Sequence, residues 1–409
     1  MSHTAPGYRI RVARELLSRE AALGRVLERV RALAVEEVPT AGASGRVAAA
    51  DARSLVDLPP FPSSAMDGFA VRTDDTPGRL PIVARIAAGT PPPRPLAAGE
   101  TMAIATGGVV PDGANAVIPF EYVVENDNEI EIGDAVVQGA NVRSRGGDVA
   151  AGDVVVQRGT RLGAAQIGAL AAAGLDRLVC ARRPRVAVLT TGTELRMTGE
   201  RLGPGEVYEA NGVLLASALA SAGAEVDVLP AVADDESAHR DALERGLAGD
   251  VLVTSGGVSV GPHDLVRRIL ADLGVDEVLW GVAVKPGKPF AFGVRGETLV
   301  FGLPGNPVST LVSCELFVRP ALLALQGAAE PGPLFHEGRL GSSVERNPQR
   351  EQLIRARRRP SADGIVLEPV TGQDSHMIVR AAAADALVLV ERGEGALEAD
   401  APVRYLSLA

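Results

Sequence analysis

Three loops between Asp250 and Thr310 constrain the fold of this chain more than any other feature of its sequence. Each follows a short apolar or β-branched run and contains glycine: DVLVTSGGVSVGPHD, VAVKPGKPFAF and LVFGLPGNPVST. A short apolar run bounded on both sides is typical of a strand buried in a parallel sheet. Glycine then lets the backbone turn sharply and direct bare N–H groups toward a ligand. The pattern predicts an α/β sheet with an anion site at its carboxyl edge.

The side chains of these loops suit a phosphate or another oxyanion. Lys285 and Lys288 stand three residues apart and are held by prolines, which limits the freedom that the two ammonium groups lose on binding. Asn306 is predicted as a helix N-cap and Pro307 as the first helical residue. A helix begun in this way would offer free N–H groups and a positive dipole end to an anion.

Two other enzyme classes share parts of this pattern. The sequence from Gly257 to Gly261 matches G-x-S-x-G, in which Ser259 would be a hydrolase nucleophile. Such a serine sits at the strand-to-helix corner, whereas Pro262 here separates Ser259 from the predicted helix, so we disfavour a hydrolase. Gly287-Lys288 is followed by Pro289 rather than Ser or Thr, which excludes a Walker phosphate loop.

Composition narrows the possible partners and the setting. The net charge of −10 disfavours nucleic acid as a partner, so an anionic substrate needs local cations and helix ends. Cys180 and Cys314 are isolated, which predicts neither a disulfide framework nor a zinc site. We find no run of about 18 apolar residues and no signal-peptide core, so we expect a cytoplasmic protein without a membrane span.

The rest of the chain predicts further domains around this sheet. Residues 70–145 alternate short apolar runs with Gly and Pro, which is typical of a small β domain. Strand and helix patterns alternate through residues 184–325 and predict a mostly parallel sheet with helices on both faces. Residues 333–409 favour a small β-barrel, with the run Arg355–Arg359 on a solvated strand face. The predicted fold class is therefore an α/β multidomain protein.

The same three loops resemble those of a known enzyme family. SGGVSVGPHD, VKPGKPFAFG and GLPGNPVS are similar to the loops of molybdopterin molybdenumtransferases of the MoeA type, which also form the E domain of gephyrin. The segments SAMDGFAVR, ATGGVVPDGANAV, NVRSRGGD and GQDSHMIVRAAAADAL resemble further family motifs, so the likeness extends from about residue 18 to 408. This chain departs from the family pattern at Phe69, usually Tyr, at Gly108, often Pro, and at Gly147, usually Glu.

The resemblance implies an architecture and an activity. It implies an elongated, discontinuous domain at residues 1–54 and 146–183, an inserted β domain at 55–145, a molybdopterin-binding domain at 184–330 and a C-terminal barrel at 331–409. It implies insertion of molybdenum from molybdate into adenylylated molybdopterin, with release of AMP in a Mg²⁺-dependent step. It also implies a homodimer whose site lies between subunits, and a possible contact with molybdopterin adenylyltransferase.

The resemblance also assigns roles to individual residues. The turn at Gly256 and Gly257 and the helix start at Asn306 would hold the pterin and phosphate. Candidate catalytic residues are Asp67, Glu194, Asp264, Lys285 and Lys288. Candidate binding residues are Thr106, Arg145, Asp148, Thr191, Gly192, Ser255, Gly256, Gly257, Ser259, Pro304, Gly305, Asn306, Pro307 and Ser375. Candidate metal ligands are Glu194, Asp234 and Asp264.

Carboxylates near the loops favour a Mg²⁺ site, because several of them would repel a phosphorylated substrate without a cation between them. Asp235 is the exception, since its position favours a helix cap. Two alternative functions remain: a molybdopterin adenylyltransferase of the MogA type, whose GGTG loop corresponds to SGGVSVG here, and a gephyrin-like scaffold. The choice between molybdate and tungstate stays open.

Overall fold

The computed structural model describes residues 16–231, 235–257 and 265–408 of the chain. Internal contacts divide it into two compact units. The first unit comprises Met1–Glu36, Gly45–Ala49 and Cys180–Ala409, and the second comprises Glu37–Ser44 and Ala50–Val179. The finer boundaries of four domains stay a prediction.

A six-stranded sheet forms the centre of the first unit. Its strands, in spatial order, are Glu225–Val228, Arg185–Thr190, Val251–Ser255, Thr298–Leu303, Ala291–Arg295 and Asp276–Trp280. The first four run parallel, and the last two are antiparallel to their neighbours. Val251–Ser255 is buried along its whole length, as expected of a β-branched run in the middle of a parallel sheet. The predicted α/β sheet is confirmed.

Helices cover both faces of this sheet. One face packs Leu215, Leu219 and Phe317 against the strands, and the other packs Leu243 and Ile269. The helices of this part are Arg19–Leu27, Asn211–Ser221, Glu236–Gly246, Leu265–Asp272, Pro307–Ser313 and Arg319–Leu325, with a π-helical turn at Cys314–Val318. Asp235 is an N-cap as predicted, because its carboxylate accepts a hydrogen bond from the Ala238 N–H at 2.7 Å.

The helical stretch Pro307–Leu325 is, within the described ranges, the one helix long and apolar enough by length and composition to cross a membrane. An 18-residue window of this helix has a mean hydropathy of 1.6, and 72% of that window is buried inside the protein. Val312, Leu316 and Phe317 belong to the core cluster beneath the sheet. The apolar composition of this helix is therefore explained by packing within the first unit.

The C-terminal part of the first unit is a small closed barrel. Its strands, in order around the ring, are Glu351–Ser361, Gly364–Pro369, Phe335–Leu340, Pro402–Ser407 and Ala386–Val390, which pairs back with the first. The strand Val284–Lys285, from the second loop, pairs with Glu351 and Gln352 at the barrel edge. Short elements complete this part: Val344–Glu345, Ala396–Leu397 and the helical turn Ile378–Ala381. The predicted barrel is confirmed.

The second unit is built on another six-stranded sheet. Its strands, in spatial order, are Ala116–Pro119, Gly68–Val71, Thr101–Ile104, Gly78–Ile86, Glu129–Ile132 and Val123–Asn126. Phe69 and Ile130 are among the side chains in its core. Further elements are the strand pairs Ala52–Arg53 with Val154–Val156 and Ser63–Ser64 with Val142–Arg143, and the helix Ala164–Ala172.

Candidate functional site

The first and third loops meet at the carboxyl edge of the parallel sheet. Thr190, Ser255 and Leu303 lie at the same level on three neighbouring strands, so the loops that follow them start side by side. The Thr191 N–H donates to the Ser255 carbonyl at 3.1 Å, and the Gly256 N–H donates to the Leu303 carbonyl at 3.1 Å. Thr191, Ser255 and Gly256 are thereby brought together, as the sequence predicts.

Glycine is required at this edge because backbone lies against backbone. Gly256 has φ +92°, and a Cβ built on it would lie 2.6 Å from the Thr191 carbonyl oxygen. A Cβ on Gly305 would lie 3.8 Å from the Gly256 Cα, so these two turns are in direct contact. The sequence predicts glycines that let the backbone approach a ligand, and the structure shows how closely the turns also approach each other.

A hydrogen-bond network that the sequence analysis missed fixes the third loop. The Ser255 hydroxyl donates to the Pro304 carbonyl at 3.0 Å, and the Thr310 hydroxyl donates to the same oxygen at 2.6 Å. The Asn211 amide nitrogen donates to the Ser255 Oγ at 2.9 Å and to the Gly305 carbonyl at 2.7 Å. Asn211 lies outside the three loops, so no loop motif could have indicated it.

The start of the helix at Pro307 differs from the prediction in one respect. Asn306 occupies the N-cap position, but its side chain does not cap the helix backbone. Its amide nitrogen donates instead to the Ser375 Oγ at 2.8 Å, and the Val308 N–H donates to the Ser375 carbonyl at 3.0 Å. Ser375 therefore lies against the start of this helix, and its carbonyl accepts from one of the N–H groups that we expected to be free for an anion.

Arg355 holds the loop that carries Ser375. Its side chain is 1% exposed, and its guanidinium donates to the carbonyls of Gly372 at 2.8 Å and Met377 at 2.9 Å. A third bond runs to the Gln373 Oε1 at 3.2 Å. The predicted solvated strand face is wrong for Arg355, because the hydrogen-bonding needs of a buried guanidinium are met by these neutral acceptors. Ala356 is buried as well, and the prediction holds for the three arginines at 357–359, which are exposed.

The second loop presents two exposed lysines beside this edge. The ammonium groups of Lys285 and Lys288 are exposed and form no hydrogen bond or ion pair with another described residue, although the backbone of both residues is hydrogen-bonded. A Cβ built on Gly287, between them, would lie 3.1 Å from the Ser313 Oγ, so the loop packs against the helix that begins at Pro307. Both lysines are thus free to bind an anion near the first and third loops.

A further signal in the sequence supports this loop. The chain has 41 lysine and arginine residues, and Lys285 and Lys288 are its only two lysines. A lysine is a compact charge on a flexible stem with rotatable donors, whereas arginine has a planar fork, so the two are not interchangeable at a binding site. Counting the lysines would have singled out this loop without any motif.

The metal site predicted from the carboxylates has only one of its ligands in the described ranges. Asp234 and Asp264, and the binding candidate Ser259, lie outside the described residues. Glu194 is exposed, and its carboxylate oxygens lie 2.7 Å from the position of a Cβ built on Gly192. The described residues contain no group of three or more His, Cys, Asp or Glu side chains that could hold a metal. These residues alone do not form a Mg²⁺ site.

The second unit contains a separate candidate group. The Asp67 carboxylate accepts hydrogen bonds from the Thr106 N–H at 2.6 Å and from the Thr106 hydroxyl at 2.9 Å. The backbone bond is the larger of the two causes that lower the pKa of Asp67. The structure thus joins two residues that are 39 positions apart in the sequence.

Arg145 already has an acidic partner, whereas the side chain of Asp148 is exposed. The Arg145 Nε donates to the Asp57 carboxylate at 2.6 Å, and the Ala151 N–H donates to the same carboxylate at 2.9 Å. The backbone bond and the arginine together lower the pKa of Asp57. Asp148 is exposed, and its N–H donates to the Leu58 carbonyl at 2.9 Å. Asp57 therefore competes with any oxyanion for Arg145.

Comparison with protein families matches nearly the whole chain. Residues 17–174 match the MoeA N-terminal region (domain I and II), residues 187–324 match the probable molybdopterin binding domain, and residues 337–408 match the MoeA C-terminal region (domain IV). The chain belongs to the MoeA family.

Relatives of this MoeA-family chain agree with the match. Molybdopterin molybdenumtransferase 2 of Mycobacterium tuberculosis (strain ATCC 25618 / H37Rv) is 36% identical over 346 residues, which cover 81% of this chain and 85% of the relative. Molybdopterin molybdenumtransferase of Haemophilus influenzae is 37% identical over 289 residues, which cover 70% and 71%. The crystal structure of the molybdopterin biosynthesis MoeA protein from Pyrococcus horikoshii OT3 matches with a TM-score of 0.82 at 26% identity, covering 96% of this chain and 100% of that one.

The MoeA-family barrel also contains a cavity of about 530 Å³ that none of the candidate residues lines. Its walls carry mixed charges, of which Arg404 is paired with Glu391 at 3.0 Å and Arg339 with Asp400 at 3.3 Å. The third arginine of the lining, Arg346, donates to the backbone carbonyl of Glu394. All three arginines are thus engaged with other residues, which leaves them less available to an anionic ligand than an unpaired cation is. The sheet edge, with its two free lysines, is the better candidate site.

Proposed function

We propose that this chain is a molybdopterin molybdenumtransferase that takes molybdenum from molybdate, inserts it into adenylylated molybdopterin and releases AMP. Family membership and the names of the relatives support a role in molybdenum cofactor biosynthesis. The observation that carries the proposal is the meeting of two glycine turns, at Gly256 and Gly305, beside a loop with the only two lysines of the chain. This arrangement suits a substrate with several negative charges.

The residues of the sheet edge would bind and orient the substrate. With no side chains at Gly256 and Gly305, a phosphate or a pterin ring can approach the backbone closely. Lys285 and Lys288 supply positive charge where the chain as a whole carries −10. Stabilising charge that develops on an oxyanion during a reaction is often the largest contribution to catalysis. We assign the phosphate to the two turns and molybdate to the lysines.

The site is proposed to be completed by a second copy of the chain. Asp67 and Thr106 belong to the second unit, and the lysines and glycine turns belong to the first. In the proposed homodimer, the second unit of one subunit contributes to the site of its partner. A contact with the adenylyltransferase that supplies adenylylated molybdopterin, and a cytoplasmic location, complete the proposal.

Magnesium is proposed as the cofactor, with Glu194, Asp234 and Asp264 as its ligands. A hard cation of this kind prefers oxygen ligands and commonly bridges carboxylates to phosphate, so it would offset repulsion between them. Of these three, only Glu194 lies in the described part of the chain. Loss of AMP release on chelation with EDTA, and its return on addition of Mg²⁺, would support this assignment.

The decisive experiment measures AMP release by purified protein given adenylylated molybdopterin, molybdate and Mg²⁺. We expect Lys285→Ala to lower kcat by about 100-fold, the effect typical of losing one donor to a developing oxyanion. Lys285→Arg should recover only part of the rate, because it restores the charge without the geometry. Asp264→Asn should also slow release sharply. The control is Arg359→Ala, since Arg359 is exposed on the barrel.

Three outcomes would contradict the proposal at different levels. Normal rates in Lys285→Ala and Asp264→Asn would overturn the residue assignments. Absence of AMP release in the wild type, together with ATP-dependent adenylylation of molybdopterin, would replace the function with that of the adenylyltransferase. A scaffold would instead retain its protein partners in a pull-down with Lys285→Ala.

A further inference from the structure

Asn211 connects two of the ligand loops without belonging to either. It is the first residue of the helix Asn211–Ser221 and is partly buried. Its amide nitrogen has two hydrogens, and both are used, one on the Ser255 Oγ at 2.9 Å and one on the Gly305 carbonyl at 2.7 Å. One side chain therefore joins the end of the first loop's strand to the third loop.

The direction of these bonds is fixed by their partners. The hydroxyl of Ser255 has a single hydrogen, which it donates to the Pro304 carbonyl at 3.0 Å, so its oxygen can only accept from Asn211. The Gly305 carbonyl can only accept as well. An oxygen in place of the Asn211 nitrogen would face two acceptors, or one acceptor and a hydroxyl that already has a partner. The position requires an amide and not an acid.

The bond to the Gly305 carbonyl also fixes the direction of the next backbone N–H, that of Asn306. The Gly305–Asn306 peptide is trans, so its carbonyl and the Asn306 N–H point in opposite directions. Because Asn211 holds the carbonyl, the N–H is directed away from Asn211. Asn306 is exposed, and no described residue accepts a hydrogen bond from its N–H. This N–H is therefore an unpaired donor whose direction is fixed by the bond from Asn211 to the Gly305 carbonyl.

We propose that Asn211 is a positioning residue of the site: it holds the first and third loops together and sets the orientation of the Gly305–Asn306 peptide toward a phosphate oxygen of the substrate. The identity of the ligand rests on the proposed function. The bracing of the loops does not, because it follows from hydrogen bonds within the first unit. Asn211 would act through the backbone of the third loop and does not touch the reacting atoms.

The test compares Asn211→Asp with Asn211→Ala and the wild type. Asp keeps the shape of Asn but loses both donors, and a carboxylate in the first turn of a helix favours the fold. We expect Asn211→Asp to lower kcat/KM for AMP release by about tenfold, the loss typical of one or two hydrogen bonds. Hydrogen–deuterium exchange should rise in residues 254–257 and 303–306 and stay unchanged in the second unit.

The matched control is Asn115→Ala in the second unit. Asn115 is also partly buried, and its amide bonds Thr73, accepting from the N–H at 2.8 Å and donating to the hydroxyl at 3.0 Å. It should lose stability without a change in kcat/KM or in exchange at the third loop. Wild-type exchange and kinetics in Asn211→Asp would overturn the proposal. If the wild type released no AMP, the proposed function would fail. The exchange experiment would still test whether Asn211 holds the first and third loops together.

Discussion

At the scale of single residues, the arginines and the lysines of this chain are in different environments. Many of its arginines are bound in ion pairs or hydrogen bonds, for example Arg182 with Asp250 at 2.6 Å and Arg355 with backbone carbonyls. Both lysines are exposed and unpaired within the described part of the chain. Arginine is suited to fixed planar contacts and lysine to a mobile point charge, which is what a small oxyanion requires.

The pair Asp67 and Thr106 gives a prediction at the same scale. Thr106→Val removes the hydroxyl but keeps the backbone N–H, which is the larger cause of the lowered pKa, so the pKa of Asp67 should rise only part of the way to its ordinary value. Since the folded pKa is depressed, the stabilisation is present above the unfolded-state pKa and is lost as the pH falls through the folded pKa. An NMR pH titration of carbon-13-labelled aspartate measures the shift.

Thr106→Ser is the control for this titration, because it retains both donors to Asp67. It should titrate as the wild type does. An unchanged pKa in Thr106→Val would show that the hydroxyl does not hold the carboxylate in solution.

At the scale of secondary-structure elements, the turn after the strand Val251–Ser255 is the most constrained part of the site. Gly256→Ala would place a Cβ 2.6 Å from the Thr191 carbonyl oxygen at φ +92°, so backbone has to move. Gly327 has a similar φ of +78° but nothing within 4 Å of its Cβ position, so Gly327→Ala isolates the cost of the backbone conformation. We expect Gly327→Ala to cost about 1 kcal/mol and Gly256→Ala clearly more.

Chemical denaturation of both variants measures this difference, and AMP release measures its effect on the site. Gly256→Ala should also lose activity, because the turn that it displaces contacts Gly305. Equal stabilities for the two alanine variants would contradict the close approach of the first loop to Thr191.

The loop that carries Ser375 depends on Arg355 in a similar way. Arg355→Lys keeps the charge but cannot reach the carbonyls of Gly372 and Met377 together, and it leaves a buried ammonium with too few acceptors. The free energy of unfolding should fall by about 2–3 kcal/mol, as for the loss of buried bonds from a charged group. Arg359→Lys, on an exposed position of the same strand, should change it little. Denaturant titration of both variants makes the comparison.

At the scale of the whole molecule, the proposed dimer predicts complementation between inactive variants. Asp67→Asn alters the second unit and Lys285→Ala the first. If each site takes one unit from each subunit, a mixed dimer has one intact site and one site with both changes. Random association of equal amounts then gives about a quarter of the wild-type activity, since half of the dimers are mixed and half of their sites are intact.

Co-expression of the two variants with different affinity tags allows the mixed dimer to be isolated and assayed for AMP release. A single variant mixed with itself is the control and should stay inactive. If the mixed dimer is inactive as well, then Asp67 and Lys285 serve the same site within one subunit, or a dimer does not form. Analytical ultracentrifugation of the wild type separates these two results.

The sequence by itself determined the α/β sheet, the C-terminal barrel, the three glycine loops and the family. These features can be predicted because the local sequence determines them: a few adjacent apolar residues, glycines and prolines fix the burial pattern and the backbone conformation of a strand or a turn. A mostly parallel sheet places the carboxyl ends of its strands at one edge. The loops could therefore be assigned to one edge before any coordinates were known. The structure then shows that Thr190, Ser255 and Leu303 lie on neighbouring strands in register.

Only the tertiary structure decided which side chains connect these loops. Asn211 bonds Gly305 across 94 positions of sequence, and Asn306 bonds Ser375 across 69. The local pattern of Arg355–Arg359 predicts a solvated strand face, whereas Arg355 is buried in the folded barrel. Such partners depend on which strands and helices become neighbours, and a hydrogen bond needs its two atoms within about 3 Å, which no local pattern specifies.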